Sequence, residues 1–249
     1  MEKTSESSVA LSGKAMPLVA HIEELRSKFI RCGITLAVCT IPCGIYWKEI
    51  FDAIVSYSLH LCEPLAVHII YTAPVETVML SIKVAVVGGL MLASPVMFQQ
   101  AWSFISPALY KKEKILVLPT ALASSVCFLG GVVFSCYMLP FMLKFLTEFA
   151  AGAIDPFFKI DEYLNFLVKI SLAFGFAFQL PVIVFVLSRI SLIDHKFLLR
   201  YFRYAIVLIF IFAAIITPPD VLSQILLAVP MLALYAFSIL ISFFARPKK

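Results

Sequence analysis

The sequence predicts an all-α membrane protein that crosses the bilayer about six times. Hydrophobic residues make up 62% of the chain and the mean hydropathy is +1.00, whereas soluble domains are roughly 45–50% apolar. Charged residues fall in clusters, and the apolar runs between them are long enough to cross a hydrocarbon core of roughly 30 Å as helices. These runs are continuous and do not alternate with polar residues, which excludes a transmembrane β-barrel.

Six apolar runs are predicted as spans. They are Phe29–Trp47, Thr77–Phe98, Ile115–Met142, Tyr163–Leu187, Tyr204–Thr217 and Val221–Phe244. The fifth would be only about 21 Å long as a helix, and Pro218-Pro219-Asp220 follows it at once. We therefore expect this span to lie deep in the protein or to thin the bilayer around it.

The distribution of basic residues predicts the orientation. Lys and Arg are concentrated in residues 1–31, in the loops after spans two and four, and in the C-terminal tail, whereas the opposite loops are net acidic. Short loops rich in Lys and Arg stay in the cytoplasm, so both termini are predicted to be cytoplasmic. Residues 1–17 are predicted to be a disordered tail, 18–245 the membrane domain and 246–249 a basic tail.

The loops on the opposite, outer side are predicted to be structured. Residues 48–76 contain the amphipathic segment Ile50–Leu61, and Pro64 and Pro74 then break helices and fix turns. Lys83 and Lys169 each lie about two turns inside a span from its outer end. Each is interpreted either as a long side chain that reaches the interface or as a buried functional charge.

The cysteines predict neither disulfides nor a metal site. Five of the six lie inside apolar runs, and Cys62 is in a loop. Cysteine used in this way behaves as a small hydrophobic residue, and no Cys/His spacing resembles a zinc site. We therefore predict no metal and no cofactor, and no feature of the chain predicts a nucleic-acid partner.

Two segments near the cytoplasmic face carry acidic residues of interest. Leu18, Val19, Ile22, Leu25 and Phe29 recur at helical spacing and predict an interfacial helix before span one. On that helix Glu24 could form an ordinary i,i+4 pair with Lys28, worth about 0.3–0.5 kcal/mol. In the segment from Phe104 to Lys114, Glu113 is surrounded by lysines, and the simplest interpretation is a screened acid in a solvated loop.

Four motifs together resemble the TatC family, the multispanning subunit of the twin-arginine protein translocase. They are His21-Ile-Glu-Glu-Leu-Arg26, Phe104-x-x-Pro107-x-Leu109-Tyr110-x-x-Glu113, Phe174-Gly175-x-x-Phe178-Gln179-x-Pro181 and Thr217-Pro218-Pro219-Asp220-x-x-Ser223-Gln224. They occur in the family's order on six predicted spans. The resemblance runs from about Leu18 to Ala245 and implies a multi-pass protein of the bacterial inner membrane.

The resemblance implies a receptor for the signal peptides of folded cargo proteins, which carry two consecutive arginines. By motif position, Glu24 and Glu113 would receive those arginines, since a carboxylate can accept a planar guanidinium bidentately and cannot accept lysine in that way. The same motifs imply further signal-peptide-binding residues, namely Arg26, Phe104, Pro107, Leu109 and Tyr110. For the two acids to discriminate, the N-terminal helix and the Phe104–Glu113 loop must meet in a partly desolvated hollow.

The other two motifs imply a polar residue within the membrane and a docking region for a partner helix. Gln179 is interpreted as a residue that holds two helices together by a hydrogen bond. TatC relatives commonly have glutamate at this position, whereas glutamine cannot titrate. Thr217 and Gln224 would dock the membrane helix of a single-span TatA- or TatB-type partner. The alternative is simple capping of span six by Asp220 and Ser223. The chain is expected to work as part of an oligomeric complex in the lipid bilayer.

The alternative function is a secondary transporter of a small solute. That class predicts internal repeats, discontinuous helices and charged groups near the midplane, and the sequence has no convincing repeat and no Asp or Glu in the middle of a predicted span. An enzyme is not predicted, because phosphate-loop, Gly-x-Ser-x-Gly and His-Glu-x-x-His motifs are absent.

The resemblance implies that the proton-motive force supplies the energy for export.

Overall fold

The computed structural model describes residues 18–61, 68–70, 73–105, 117–150, 157–217 and 220–245. The predicted tails, 1–17 and 246–249, lie outside the described residues, as does Pro64. The division of the chain into two tails and a membrane domain therefore stays a prediction.

The described chain is almost entirely helical. Its elements are α1 Leu18–Ile45, α2 Trp47–Leu61, β1 His68–Ile70, α3 Pro74–Ile105, α4 Val117–Ala150, β2 Phe157–Lys159, α5 Ile160–Ala177, α6 Leu180–Arg189, α7 His195–Arg200, α8 Phe202–Ile216 and α9 Val221–Ala245. The two short strands pair in parallel, with His68 opposite Phe157.

Five helical segments among the described residues are long and apolar enough to cross a membrane, and α8 is a shorter sixth. The fourth crossing, Ile160–Arg189, is made by α5 and α6 in succession. Helix α8 has 15 residues and spans roughly 22 Å, in line with the short fifth span expected from the sequence. The predicted all-α architecture with six crossings is confirmed, and the orientation of the termini stays a prediction.

The prediction of a separate interfacial helix at the N-terminus is wrong. Helix α1 runs without a break through 28 residues, which is roughly 42 Å and exceeds the hydrocarbon core. The apolar residues read as an interfacial helix are its first turns. Pro42 lies inside α1 and does not end it; membrane helices tolerate proline because neighbouring groups can satisfy the backbone carbonyl that loses its N–H partner.

Small residues let the helices approach closely, as expected where packing rather than water expulsion drives helix association. A Cβ added to Gly89 of α3 would lie 2.8 Å from the Cα of Thr40 in α1. A Cβ added to Gly131 of α4 would lie 2.6 Å from the backbone oxygen of Phe174 in α5. Phe174 is fully buried and lies in the main core, which α4, α5, α8 and α9 build together.

The described part of the loops that the sequence predicts to lie on the outer side is structured. Pro74 opens α3, and helix α2 packs through Trp47 and Phe51 against a small core that includes Leu80 of α3 and Leu164 of α5. Of the two lysines with open interpretations, Lys83 forms an ion pair with Asp161, and both side chains are about one-third exposed. Lys169 is exposed. Neither lysine is a buried, isolated charge.

The close approach at Gly131 generates a stability prediction. We expect Gly131→Ala to destabilise the protein relative to Gly130→Ala by about 1–3 kcal/mol, because the new methyl group meets the Phe174 carbonyl. Gly130 is the matched control, since nothing lies within 4 Å of its added Cβ and both changes gain the same helix propensity. The free energy of unfolding in mixed detergent micelles checks this, and equal stabilities would contradict it.

Candidate functional site

The candidate site begins with an ion pair on the first turns of α1. The ammonium nitrogen of Lys28 lies 2.6 Å from Oε1 of Glu24, one helical turn earlier. The Lys28 side chain is only 12% exposed and that of Glu24 is 30% exposed. The pair expected from the spacing is therefore present, and it is more sheltered than a surface pair.

Lys28 also joins α1 to the end of α3. Its Nζ donates a hydrogen bond of 3.3 Å to Oγ of Ser103, and it lies 5.6 Å from the ring centroid of Phe104. One ammonium group therefore contacts a carboxylate, a hydroxyl and an aromatic face. The start of the Phe104–Glu113 segment is brought to the acidic edge of α1 in this way.

The remaining predicted signal-peptide residues divide into two groups. Arg26 is on α1 and exposed. Pro107, Leu109, Tyr110 and Glu113 lie outside the described residues. The meeting of the Glu24 and Glu113 carboxylates therefore stays a prediction.

A hydrogen-bond network links this region to the interior of the membrane domain. Trp102, beside Ser103 on α3, donates from Nε1 to Oγ of Ser124 on α4 at 2.8 Å. Gln179 donates from Nε2 to the backbone oxygen of the same Ser124 at 3.0 Å. The sequence motifs singled out Gln179 but not its partners, since a contact across 55 residues leaves no trace in helical spacing.

Gln179 stands at a break in the fourth crossing. Helix α5 ends at Ala177 and α6 begins at Leu180, with Pro181 in its first turn. A proline there cannot supply an N–H to continue the helix. Gln179 is 6% exposed, and its amide ties the break to α4, in agreement with the interhelical role expected for it.

The polar residues between spans five and six are hydrogen-bonded within the chain. Thr217 donates from Oγ1 to the Ala213 oxygen at 2.9 Å, and Gln224 donates from Nε2 to the Phe210 oxygen at 3.0 Å. Asp220 accepts the Ser223 N–H at 2.7 Å and so caps α9. The Ala213 oxygen also accepts the backbone N–H of Thr217 at 2.9 Å, so the Thr217 and Gln224 side chains add second hydrogen bonds to carbonyl groups of α8.

Further buried polar pairs hold the crossings together. Ser135 of α4 and Ser171 of α5 are hydrogen-bonded at 2.8 Å, and Ser188 of α6 donates to Ser242 of α9 at 2.7 Å. Hydroxyl groups within a bilayer need partners inside the protein, since lipid supplies none. The fold and these contacts define a multi-pass helical membrane protein with a polar site at one membrane face.

Comparison with known proteins gives the family. The TatC family profile, described as Sec-independent protein translocase protein (TatC), matches residues 20–230. The chain belongs to the TatC family. A Sec-independent protein translocase protein TatC from Helicobacter pylori strain J99 is 39% identical over 232 residues, covering 92% of this chain and 90% of the relative. One from Aquifex aeolicus is 36% identical over 245 residues, covering 94% and 98%.

A solved structure shares the fold. The crystal structure described as twin arginine translocase receptor TatC has a TM-score of 0.80 and 34% identity, and the match covers 90% of this chain and 99% of that one. The resemblance inferred from the four motifs is confirmed. The chain is thus a protein translocase component, as its relatives are.

Gln179 generates the second prediction. We expect Gln179→Leu to lower the free energy of unfolding by about 0.6–1.7 kcal/mol, because one interhelical hydrogen bond is lost. Gln99→Leu is the matched control, since Gln99 is exposed on α3. Unfolding in mixed micelles measures both variants, and an equal effect of the two would show that the Ser124 contact contributes nothing.

Proposed function

We propose that this chain is the twin-arginine signal-peptide receptor and core subunit of a translocase that exports folded proteins across the cytoplasmic membrane. The observation that carries the proposal is the sheltered carboxylate of Glu24 at one membrane face. Family membership supports the assignment to a translocase. The crystal structure that shares the fold is described as that of a twin arginine translocase receptor, which supports the receptor role.

The shelter around Glu24 matters because it decides the strength of the interaction. An exposed ion pair is worth about 0–1 kcal/mol, which would not hold a peptide. A charge-assisted bond in a partly desolvated place reaches about 1.5–3 kcal/mol. Glu24 is 30% exposed beside a side chain that is 12% exposed, so its surroundings lie between these two limits.

Glu113 is proposed as the second acid that receives an arginine, with Arg26, Phe104, Pro107, Leu109 and Tyr110 completing the binding surface. The contact between Lys28 and Phe104 supports this arrangement, since it brings the start of that loop against α1. Two acids at a fixed separation would read two consecutive guanidinium groups together. Each would accept its guanidinium as a bidentate fork, which an ammonium cannot imitate.

Lys28 gives the site an internal competitor. The Glu24 carboxylate is already paired with the Lys28 ammonium at 2.6 Å, so an incoming arginine must displace or weaken that pair. By mass action, a competitor that occupies the same carboxylate lowers the affinity of every cationic ligand by one common factor. Lys28 would therefore set how tightly peptides bind, while the geometry of the guanidinium would set the preference for arginine.

Both termini are proposed to lie in the cytoplasm of a bacterial cell, with the chain in the inner membrane. The excess of basic residues in the terminal segments and in the loops after spans two and four supports this orientation. The Lys28–Ser103 hydrogen bond puts the start of α1 and the end of α3 at the same membrane face, as this orientation requires.

The partners are proposed to be single-span subunits of the TatA and TatB type, joined with this chain in an oligomeric complex. Thr217 and Gln224 would receive a partner's membrane helix beside α8. Their bonds to Ala213 and Phe210 use the Thr217 hydroxyl proton and one amide N–H of Gln224, and they leave both side-chain oxygen atoms as acceptors for a polar group. Export is proposed to use the proton-motive force, and the chain is proposed to have no catalytic activity of its own.

One observation favours the alternative of a small-solute transporter. The fourth crossing is broken at Phe178–Gln179, and discontinuous helices are typical of that class. The amide of Gln179, however, is committed to Ser124 and is 6% exposed. The break is thus held by a hydrogen bond within the protein and offers no charged group to a solute. The receptor function is therefore favoured.

The first functional prediction concerns Glu24. We expect Glu24→Gln to lower the affinity for a twin-arginine peptide by about tenfold, since a neutral amide forms no charge-assisted bidentate pair. Glu23→Gln is the matched control, because Glu23 is the neighbouring acid on α1 and is exposed. Binding of a labelled peptide to the purified full chain measures the effect. An unchanged affinity in Glu24→Gln would overturn the receptor proposal.

The second functional prediction concerns Lys28. We expect Lys28→Met to tighten binding of a twin-arginine and a twin-lysine peptide by the same factor, about three- to tenfold, because the competitor is removed and the packing volume is kept. Arg31→Met, on the exposed side of α1, controls for the loss of one positive charge. Weaker binding in Lys28→Met, or a changed ratio between the two peptides, would contradict the role of Lys28 as competitor.

A further inference from the structure

An apolar groove of about 630 Å³ runs along the surface of the membrane domain between α4, α6 and α9. Its volume lies within the range of about 300–1,000 Å³ that is usual for ligand sites. Apart from Arg189, the side chains that line it are apolar or, in Cys127, weakly polar. Arg189 is the last residue of α6 and is exposed.

The length of the groove matches one leaflet of the bilayer. It extends along the fourth crossing from Phe178 to Arg189 and along α9 from Leu234 to Ala245. Eleven residues of helix cover roughly 16 Å, and half of the hydrocarbon core is roughly 15 Å. A spanning helix would need a contact surface about twice as long, so the groove fits an acyl chain better than a transmembrane partner.

The charge at the end of the groove selects the headgroup. Arg189 donates from Nη1 to the Ala245 oxygen at 3.4 Å, which holds the guanidinium at the end of α9. Ser188, the residue before Arg189, is bonded to Ser242, so α6 and α9 are joined beside Arg189. A guanidinium has five N–H donors and matches the geometry of a phosphate.

We propose that this groove binds one anionic phospholipid, with an acyl chain between α4, α6 and α9 and the phosphate at Arg189. The chain enters from the membrane face at which α6 and α9 both end. Its methyl end reaches Phe178, where the fourth crossing is broken. The lipid would fill the space beside that break and pack against Pro181 and Phe185.

The described residues of the proposed peptide site do not line the groove. Glu24, Lys28 and Phe104 lie on α1 and α3, whereas α4, α6 and α9 line the groove. Lipid binding can therefore be measured without a signal peptide. Failure of one proposal would not affect the other.

The test is native mass spectrometry of the purified full chain titrated with phosphatidylglycerol or with phosphatidylcholine that carries the same acyl chains. We expect one phosphatidylglycerol to be retained about fivefold more tightly, since a basic residue near an anionic headgroup is worth about 1 kcal/mol. Arg189→Gln should remove the preference. Arg200→Gln, at an exposed arginine of α7, should keep it.

A second measurement locates the chain. Phosphatidylglycerol with a photoreactive group near the end of its acyl chain should label residues of α4, α6 or α9 that face the groove, and Ala123→Phe should reduce this labelling by narrowing the groove. Equal retention of the two lipids, or a preference that survives Arg189→Gln, would overturn the proposal. Labelling confined to other helices, or crosslinking of the groove to a second protein chain in its place, would overturn it as well.

Discussion

The structure depends on one constraint: a polar group inside the bilayer has to find its partner within the protein, because lipid offers none. Ser135 with Ser171, Ser188 with Ser242, and Gln179 with Ser124 each meet this requirement by a bond between helices. Every such bond fixes the rotation of one helix against another. The polar residues of the spans therefore hold the arrangement of an otherwise uniformly apolar bundle.

The two ends of the molecule differ in what their ion pairs connect. At the end that carries the two short strands, the pair between Lys83 and Asp161 joins α3 to α5. At the other end, Lys28 is shared between Glu24 and groups of α3. The Lys28–Glu24 pair is proposed to be exchanged for a stronger pair with an arginine of the signal peptide, and that exchange would make it part of a binding site.

Much of the fold could be predicted from the sequence, because length and hydropathy alone define spans, and the short α8 follows from the position of Pro218-Pro219-Asp220. The motifs also singled out Glu24, Gln179 and Gln224 as candidate site residues. What the sequence could not show were contacts between distant residues: Lys28 with Ser103, and Trp102 with Ser124. The continuous α1 was missed as well, since an amphipathic segment followed by an apolar one has the same pattern whether or not the helix bends between them.

The Glu24 carboxylate is proposed to exchange the Lys28 ammonium for a guanidinium of the signal peptide. The most direct measurement is solid-state NMR of the full chain in bilayers, with the Glu24 side chain and the peptide's paired arginines isotopically labelled. The account predicts that a guanidinium nitrogen lies at charge-assisted hydrogen-bond distance, about 2.7–2.9 Å, from a Glu24 carboxylate oxygen, and that the Lys28–Glu24 contact is lost on binding. A bound peptide whose arginines lie far from Glu24, with the Lys28 pair intact, would contradict it.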